Sequence, residues 1–252
     1  MLRRVLRHAL RLAMDGLWAA ELLDGASYLR HRFRIRACRI VEAGCRFGED
    51  SLLLAANYPN AELLSFECNP ETLMTTRKNI EKMRSIRLME TALDSSDGEV
   101  TFYAAAQLGN PGASSMLKVL PGREHAAWLR AEDIVEITVQ ARQLDSVLRE
   151  VGWTKIDILW MDVEGAELRV LEGAKGYLPT VELVYTEVSL ARTREGQASF
   201  DDIRAMLESN GLREVRPWLR RTKRLLGSAT ANVIFARVPG DSEHDTRASR
   251  RA

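Results

Sequence analysis

The chain has 252 residues, 46% of them hydrophobic, which suits one α/β domain with a large core rather than two domains. Its 36 basic and 35 acidic residues nearly cancel, arguing against a global field that draws it to nucleic acid or to an anionic membrane. Cys38, Cys45 and Cys68 show neither Cys-x-x-Cys nor Cys/His spacing, so a disulfide framework and a zinc site are not expected, and a reducing cytoplasm fits.

Taken in order, the chain opens with Leu2, Val5, Leu6, Ala9, Leu10, Ala13 and Leu17 at helical spacing, with Arg3, Arg7 and Arg11 on the other side. The arginines interrupt the continuous apolar core that a secretory signal needs. No run approaches the roughly 20 apolar residues of a membrane span. Residues 1–37 therefore read as an amphipathic helical extension. Residues 1–17 suit peripheral contact with a membrane surface, packing on their own domain, or packing on a second subunit in a homodimer.

From residue 38 to residue 238 strand and helix signals alternate. Strands are expected at Cys38–Glu42, Glu62–Phe66, Ile86–Glu90, Glu99–Tyr103, Ile137–Val139, Ile156–Met161 and Val181–Glu187. Helices are expected at Asp50–Asn57, Pro70–Met83 after an Asn69 cap, Gln143–Val151, Ala166–Leu178 and Phe200–Ser209. Two last strands, Arg213–Trp218 and Asn232–Val238, form an antiparallel edge hairpin joined by a basic loop. Alternation of this kind predicts a Rossmann-like, doubly wound, seven-stranded sheet, mostly parallel, with helices on both faces. Ala104–Glu136 is too long for a plain connection and reads as a functional loop or lid. Residues 239–252 are polar without periodicity and read as a disordered tail.

Ligands in such a sheet bind beyond the carboxyl ends of its strands, and several of those ends carry polar residues. Glu42, Gly44 and Gly48 form a strand-to-helix turn with Cys45 inside it and Ser51 in the following helix. The Glu-x-Gly-x-x-x-Gly spacing differs from the dinucleotide fingerprint. Glu67, followed by Cys68, lies about 20 residues past the first glycine, where an acid meets ribose hydroxyls. Asp94 ends a third strand, where a short side chain suits an adenine amino group. Asp162 and Glu164 follow the most hydrophobic strand, and Glu187 ends its neighbour. Together they suit a cationic ligand, a general base, or a hard metal ion. His125 is the one histidine in the lid.

The combination resembles the FkbM-type S-adenosylmethionine-dependent methyltransferases of the class I methyltransferase fold. The resemblance rests on Val41–Ser51 (Val-Glu-Ala-Gly-Cys-Arg-Phe-Gly-Glu-Asp-Ser), Ser-Phe-Glu-Cys-Asn-Pro-Glu, Ala-Leu-Asp-Ser-Ser-Asp-Gly-Glu-Val, Gly-Ala-Ser-Ser-Met, and Ile-Asp-Ile-Leu-Trp-Met-Asp-Val-Glu-Gly-Ala-Glu. It implies methyl transfer from S-adenosylmethionine to a hydroxyl oxygen of a sugar, glycolipid or polyketide-type small molecule, with no divalent metal indicated. It further implies that Glu42, Gly44 and Gly48 contact or make room for the methionine part. Glu67 would hold the ribose, Asp94 would lie by the adenine and Asp162 would border the methyl donor. Asp162, Glu164, Glu187 and His125 are the candidates for removing the hydroxyl proton. Cys45-Arg46-Phe47 departs from the small polar residues expected inside the glycine turn. Two other readings use the same stretches. Against an NAD-dependent oxidoreductase stands the glycine spacing. Against a non-catalytic cofactor-binding or membrane-peripheral module stand the carboxylates at residues 162, 164 and 187.

Overall fold

Strand β1 (Arg39–Ala43) is the hub of the sheet, in a computed structural model that describes residues 38–105, 111–120, 134–215 and 230–237. Its start is pinned by Asp157, whose Oδ2 accepts the Cys38 and Arg39 N–H groups at 2.7 and 2.8 Å. From there the chain alternates through helix α1 (Glu49–Asn57), β2 (Glu62–Phe66), α2 (Pro70–Ile80) and β3 (Ile86–Met89). Short strand β4 (Ala92–Leu93) and the longer β5 (Gly98–Ala104) and β6 (Val135–Arg142) follow. The chain continues with α3 (Leu144–Glu150), β7 (Ile158–Met161), α4 (Glu167–Glu172), β8 (Leu183–Ser189), α5 (Phe200–Ser209), β9 (Leu212–Glu214) and β10 (Thr230–Arg237).

The main sheet has seven strands in the order β3-β2-β1-β7-β8-β10-β9. Every adjacent pair from β3 to β8 is parallel, while β10 runs antiparallel between β8 and β9. Strand order reverses between β1 and β7, which is where a doubly wound sheet opens a crevice. The central strands are apolar throughout because helices cover both faces: β7 (Ile-Leu-Trp-Met) is buried at every position. One face carries the larger core, built around Val41, Phe66, Leu159, Met161, Val184 and Phe235. On the other face Trp160 stacks on Tyr185 with ring centroids 3.7 Å apart, and its indole N–H donates to Asp50 at 3.0 Å.

The structure differs from the sequence expectations in three places. The strands expected near residues 99–103 and 137–139 do not enter the main sheet. They pair with each other antiparallel and, with β4, make a separate three-stranded sheet. The physical reason is one-sided burial: Phe102, Ala104, Val139 and Ala141 pack on Met116, Leu117 and Ala166, while the alternate residues of β5 and β6 are more exposed, so the ribbon covers the site rather than joining a two-sided core. The helix expected over Ala166–Leu178 is regular only to Glu172 and continues as turns from Gly173, a glycine at the helix end that packs on another chain segment: a Cβ there would lie 2.1 Å from the Asp94 carbonyl oxygen. Helix α2 likewise ends at Ile80, short of Met83. The N-terminal extension, His125, the basic loop of the last hairpin and the tail lie outside the described residues. Among the described residues no helix is long and apolar enough to cross a membrane.

Candidate functional site

The turn after β1 is built by close approach. A Cβ on Gly44 (φ +83°) would lie 2.0 Å from the carbonyl oxygen of Asp162, so the β1 and β7 ends can touch at the crevice only with glycine there. The Gly44 and Cys45 N–H groups donate to the Phe66 carbonyl at 3.0 and 2.9 Å. Arg46 sits in the left-handed region at φ +49°, which for a residue with a side chain carries a strain of about 1 kcal/mol. Two bonds stabilise it: its N–H donates to Glu67 Oε2 at 2.7 Å and its carbonyl accepts the Thr76 hydroxyl. The Phe47 carbonyl accepts from Asn79 Nδ2 at 2.9 Å, and Gly48 (φ +85°) caps α1. The backbone of Cys45-Arg46-Phe47 thus ties the turn to β2 and α2, while the identity of its side chains has no structural explanation.

A cavity of about 250 Å³ opens at the carboxyl ends of β1, β2 and β7. Gly44, Arg46, Glu67, Cys68, Asp162 and Glu164 lie in its wall, with Phe102 and Met116 contributed by the small sheet and the 111–120 segment. Glu67 is held in one orientation: Oε1 accepts the Cys68 and Asn69 N–H groups at 2.9 and 2.7 Å while Oε2 takes that of Arg46. Burial raises its pKa, and these N–H groups oppose the rise.

Glu42 and Ser51 lie beneath the turn, each fully buried and outside the cavity wall. Both the Ser51 and Ser65 hydroxyls donate to Glu42 Oε2, the latter at 2.6 Å, while Oε1 has no partner. Burial pushes the Glu42 carboxyl up to about 8. Cys45 is also buried, and burial raises its thiol far above the usual range. Glu42, Cys45, Gly48 and Ser51, expected to contact the cofactor or make room for it, lie outside the cavity wall and support the turn from behind. Asp94, expected beside the adenine, has a partner within the scaffold. Arg169 grips its carboxylate with two nitrogens, Nε at 2.7 Å from Oδ1, and the residue fastens α4 to β4 outside the cavity wall. Sequence spacing could not show that pairing, because the residues lie 75 positions apart.

Asp162, Glu164 and Glu187 converge, with one carboxylate oxygen from each lying within 4.8 Å of the others. Depth in the cleft, then the charges of Glu164 and Glu187, push the Asp162 carboxyl well up, although its side chain still meets solvent through the mouth. Burial carries Glu164 up to about 7, with Glu187 adding to the rise and Arg194 opposing it. Glu167, whose Oε1 accepts the Gly165 N–H at 3.0 Å, is likewise carried to about 7 by burial. Asp162, Glu164 and Glu167, whose neutral forms are favoured by burial first and by neighbouring carboxylates second, suit a cationic ligand that restores their charge, and a group poised near 7 suits proton transfer at neutral pH.

The sequence reading singled out neither Arg194 nor Gln197, both buried beside these carboxylates. The one available signal was their place in the loop after a strand end. Ser114 and Met116, in the cavity wall, were legible only through the Gly-Ala-Ser-Ser-Met stretch.

A doubly wound sheet with a glycine turn at its switch point and an acid-rimmed cavity beyond it defines a Rossmann-like fold with an open cavity at its strand ends. Residues 42–214 match the family model described as the methyltransferase FkbM domain. The 2-O-methyltransferase NoeI of Sinorhizobium fredii is 30% identical over 174 residues, spanning 68% of this chain and 71% of that protein. The 31-O-demethyl-FK506 methyltransferase FkbM of Streptomyces tacrolimicus is 26% identical over 210 residues, spanning 76% and 79%. The crystal structure of methyltransferase FkbM from Methylobacillus flagellatus aligns at a TM-score of 0.48 and 13% identity, over 80% of this chain and 44% of that one. The chain belongs to the FkbM methyltransferase family, and it is a methyltransferase.

Proposed function

We propose that the protein methylates a hydroxyl oxygen of a sugar, glycolipid or polyketide-type small molecule, with S-adenosylmethionine as donor. The observation that carries this reading is the placing of Glu67 and the Asp162/Glu164 pair in one cavity at the switch point. Glu67, fixed by backbone N–H groups, offers a carboxylate to vicinal ribose hydroxyls. Phe66, Leu93, Phe102 and Met116 offer flat apolar surface to a purine. Asp162 and Glu164 offer negative charge to an ammonium and a sulfonium, and such a ligand relieves their repulsion. The residues present therefore fit the donor, and the names of the two relatives, a 2-O- and a 31-O-demethyl methyltransferase, support oxygen as the acceptor atom.

When bound, S-adenosylmethionine supplies an electrophilic methyl on a positively charged sulfur. The chain's own contribution is to align the acceptor hydroxyl with that methyl, where most of the rate enhancement of such a displacement arises. Glu164, carried to about 7, takes the hydroxyl proton, and Asp162 and Glu187 face the same space. Residues 38–238 form the transferase unit in this reading.

The test is calorimetry with S-adenosylhomocysteine and NAD, followed by incubation with methyl-labelled S-adenosylmethionine and a panel of monosaccharides, glycolipids and polyketides read by mass spectrometry. Binding of S-adenosylhomocysteine and label on a hydroxyl oxygen are expected. Affinity for NAD alone overturns the donor assignment, and label confined to nitrogen overturns the acceptor.

A further inference from the structure

The loop after β8 carries a buried arginine that the reaction as described leaves unused. Arg194 is 5% exposed, and its guanidinium makes a fork of bonds: to the Ala113 carbonyl at 2.8 Å, the Leu117 carbonyl at 3.3 Å and Glu164 Oε2 at 3.1 Å. The first two acceptors belong to the 111–120 segment, which contributes Pro111, Gly112, Ser114 and Met116 to the cavity wall. The third is one of the carboxylates at the cavity rim. A rigid, planar donor suits this bridging task, which a point charge on a flexible stem cannot reproduce.

The backbone around the arginine is fixed by the same contacts. Val119 and Arg194 form an antiparallel bridge, the Leu120 N–H donates to the Thr193 carbonyl at 2.8 Å and the Glu195 N–H to that of Lys118 at 2.8 Å. Gln197 lies underneath: its Oε1 accepts the Thr193 N–H at 2.8 Å and the Arg194 N–H at 3.2 Å, while Nε2 donates to the Ser189 hydroxyl at the end of β8. Gly165 packs directly on this knot. A Cβ there would lie 2.8 Å from Gln197 Nε2 and 3.4 Å from Arg194 Cδ, on a residue at φ +99°. The glycine in Asp-Val-Glu-Gly-Ala-Glu is thus favoured by its left-handed φ, and it lies against the Arg194 loop.

We propose that Arg194 is a positioning residue for methyl transfer: one guanidinium holds the 111–120 segment over the cavity and orients the Glu164 carboxylate at its rim, so the cover and the acid–base group are set together. This rests on the proposed function of the cavity. Glu164 faces Arg194 and Arg46 as cations, and Asp162, Glu167 and Glu187 as anions, so loss of the arginine leaves it among like charges with one cation fewer.

Hydrogen exchange, calorimetry with S-adenosylhomocysteine and the pH profile of kcat, measured on the full chain, test the proposal. Arg194→Met should speed exchange of the amides in 113–120 by about tenfold or more, the equivalent of one hydrogen bond to a charged group, with exchange in β1 and β7 unchanged. It should also move the acidic limb of the kcat profile to higher pH. Arg194→Lys keeps the charge without the fork, so it should restore the limb and leave exchange of 113–120 fast. Glu164→Gln keeps both carbonyl bonds, so exchange in 113–120 should stay close to wild type while the limb disappears. If exchange of 113–120 and the acidic limb are both unchanged in Arg194→Met, the proposal is overturned. Wild-type protein that neither binds S-adenosylhomocysteine nor transfers methyl overturns the function of the cavity, and with it the reaction role of Arg194. Unchanged exchange in Arg194→Met beside a shifted acidic limb overturns the clamp alone.

Discussion

Glu42 has no place in the cavity wall, yet its burial ties the stability of the fold to pH. Its carboxyl is fully buried and is raised from an ordinary 4.5 to about 8, by burial first, against the opposing Ser51 and Ser65 hydroxyls. The folded state therefore holds Glu42 protonated where the unfolded chain ionises it. The stability this contributes is fully present below pH 4.5 and is lost progressively as pH rises to about 8. The span is 8 − 4.5 = 3.5 pH units, which at about 1.4 kcal/mol per unit makes the loss about 5 kcal/mol as an upper figure. For a chain of this size, that corresponds to a Tm difference of about 10 °C or more. Glu42→Gln removes the titration and keeps an acceptor for both hydroxyls. The added amide N–H group stays buried, which costs about 1–3 kcal/mol at every pH. Circular-dichroism melts of wild type and Glu42→Gln at pH 5 and pH 8 separate the two effects. The variant should gain on the wild type as pH rises, because Asp162, Glu164 and Glu167 titrate in both proteins and cancel in the difference. A Tm gap that is the same at both pH values refutes the assignment of a neutral Glu42.

Four further outcomes are expected. Glu67→Ala should weaken S-adenosylhomocysteine by about 100-fold or more in calorimetry with the fold intact, since two hydroxyl contacts to a charged acceptor vanish. Unchanged affinity moves the ribose elsewhere. Gly44→Ala should destabilise by about 3 kcal/mol or more in urea unfolding, because the new Cβ meets a backbone carbonyl at a positive φ. A loss under about 1 kcal/mol shows that the β1 and β7 ends can part. Asp94→Asn should lower stability by about 2 kcal/mol by weakening the Arg169 pair, and leave S-adenosylhomocysteine affinity within about twofold. A large drop in affinity at normal stability returns Asp94 to the adenine. Glu164→Gln should reduce kcat by about 100-fold or more and abolish an acidic limb near pH 7. A retained limb assigns the proton transfer to another group.

Periodicity and turn chemistry were enough to locate β1, β2, α2, β7, β8 and α5 within a few residues, because each is a strongly apolar strand or a helix with a local cap. Asn69 before Pro70 and Ser199 with Asp202 are such caps, complete within four positions of the chain. The acidic and glycine residues at strand ends were legible for the same reason: strand order aside, the chain must turn where its apolar run stops. Which of those residues face the cavity was a tertiary matter. Glu42 and Glu67 look alike in sequence, each an acid at the end of an apolar run, but Glu42 points beneath the turn at Ser51 and Ser65 while Glu67 receives the backbone of the turn itself. Asp94 looked available until the fold brought Arg169 to it from α4. The small sheet and the Arg194 loop depend on pairings between segments tens of residues apart. Local patterns carry the order and type of elements, since propensity, capping and burial period act over a few residues. Long-range packing decides which polar groups are consumed by one another and which remain for a ligand, since a carboxylate's partner can stand anywhere in the chain.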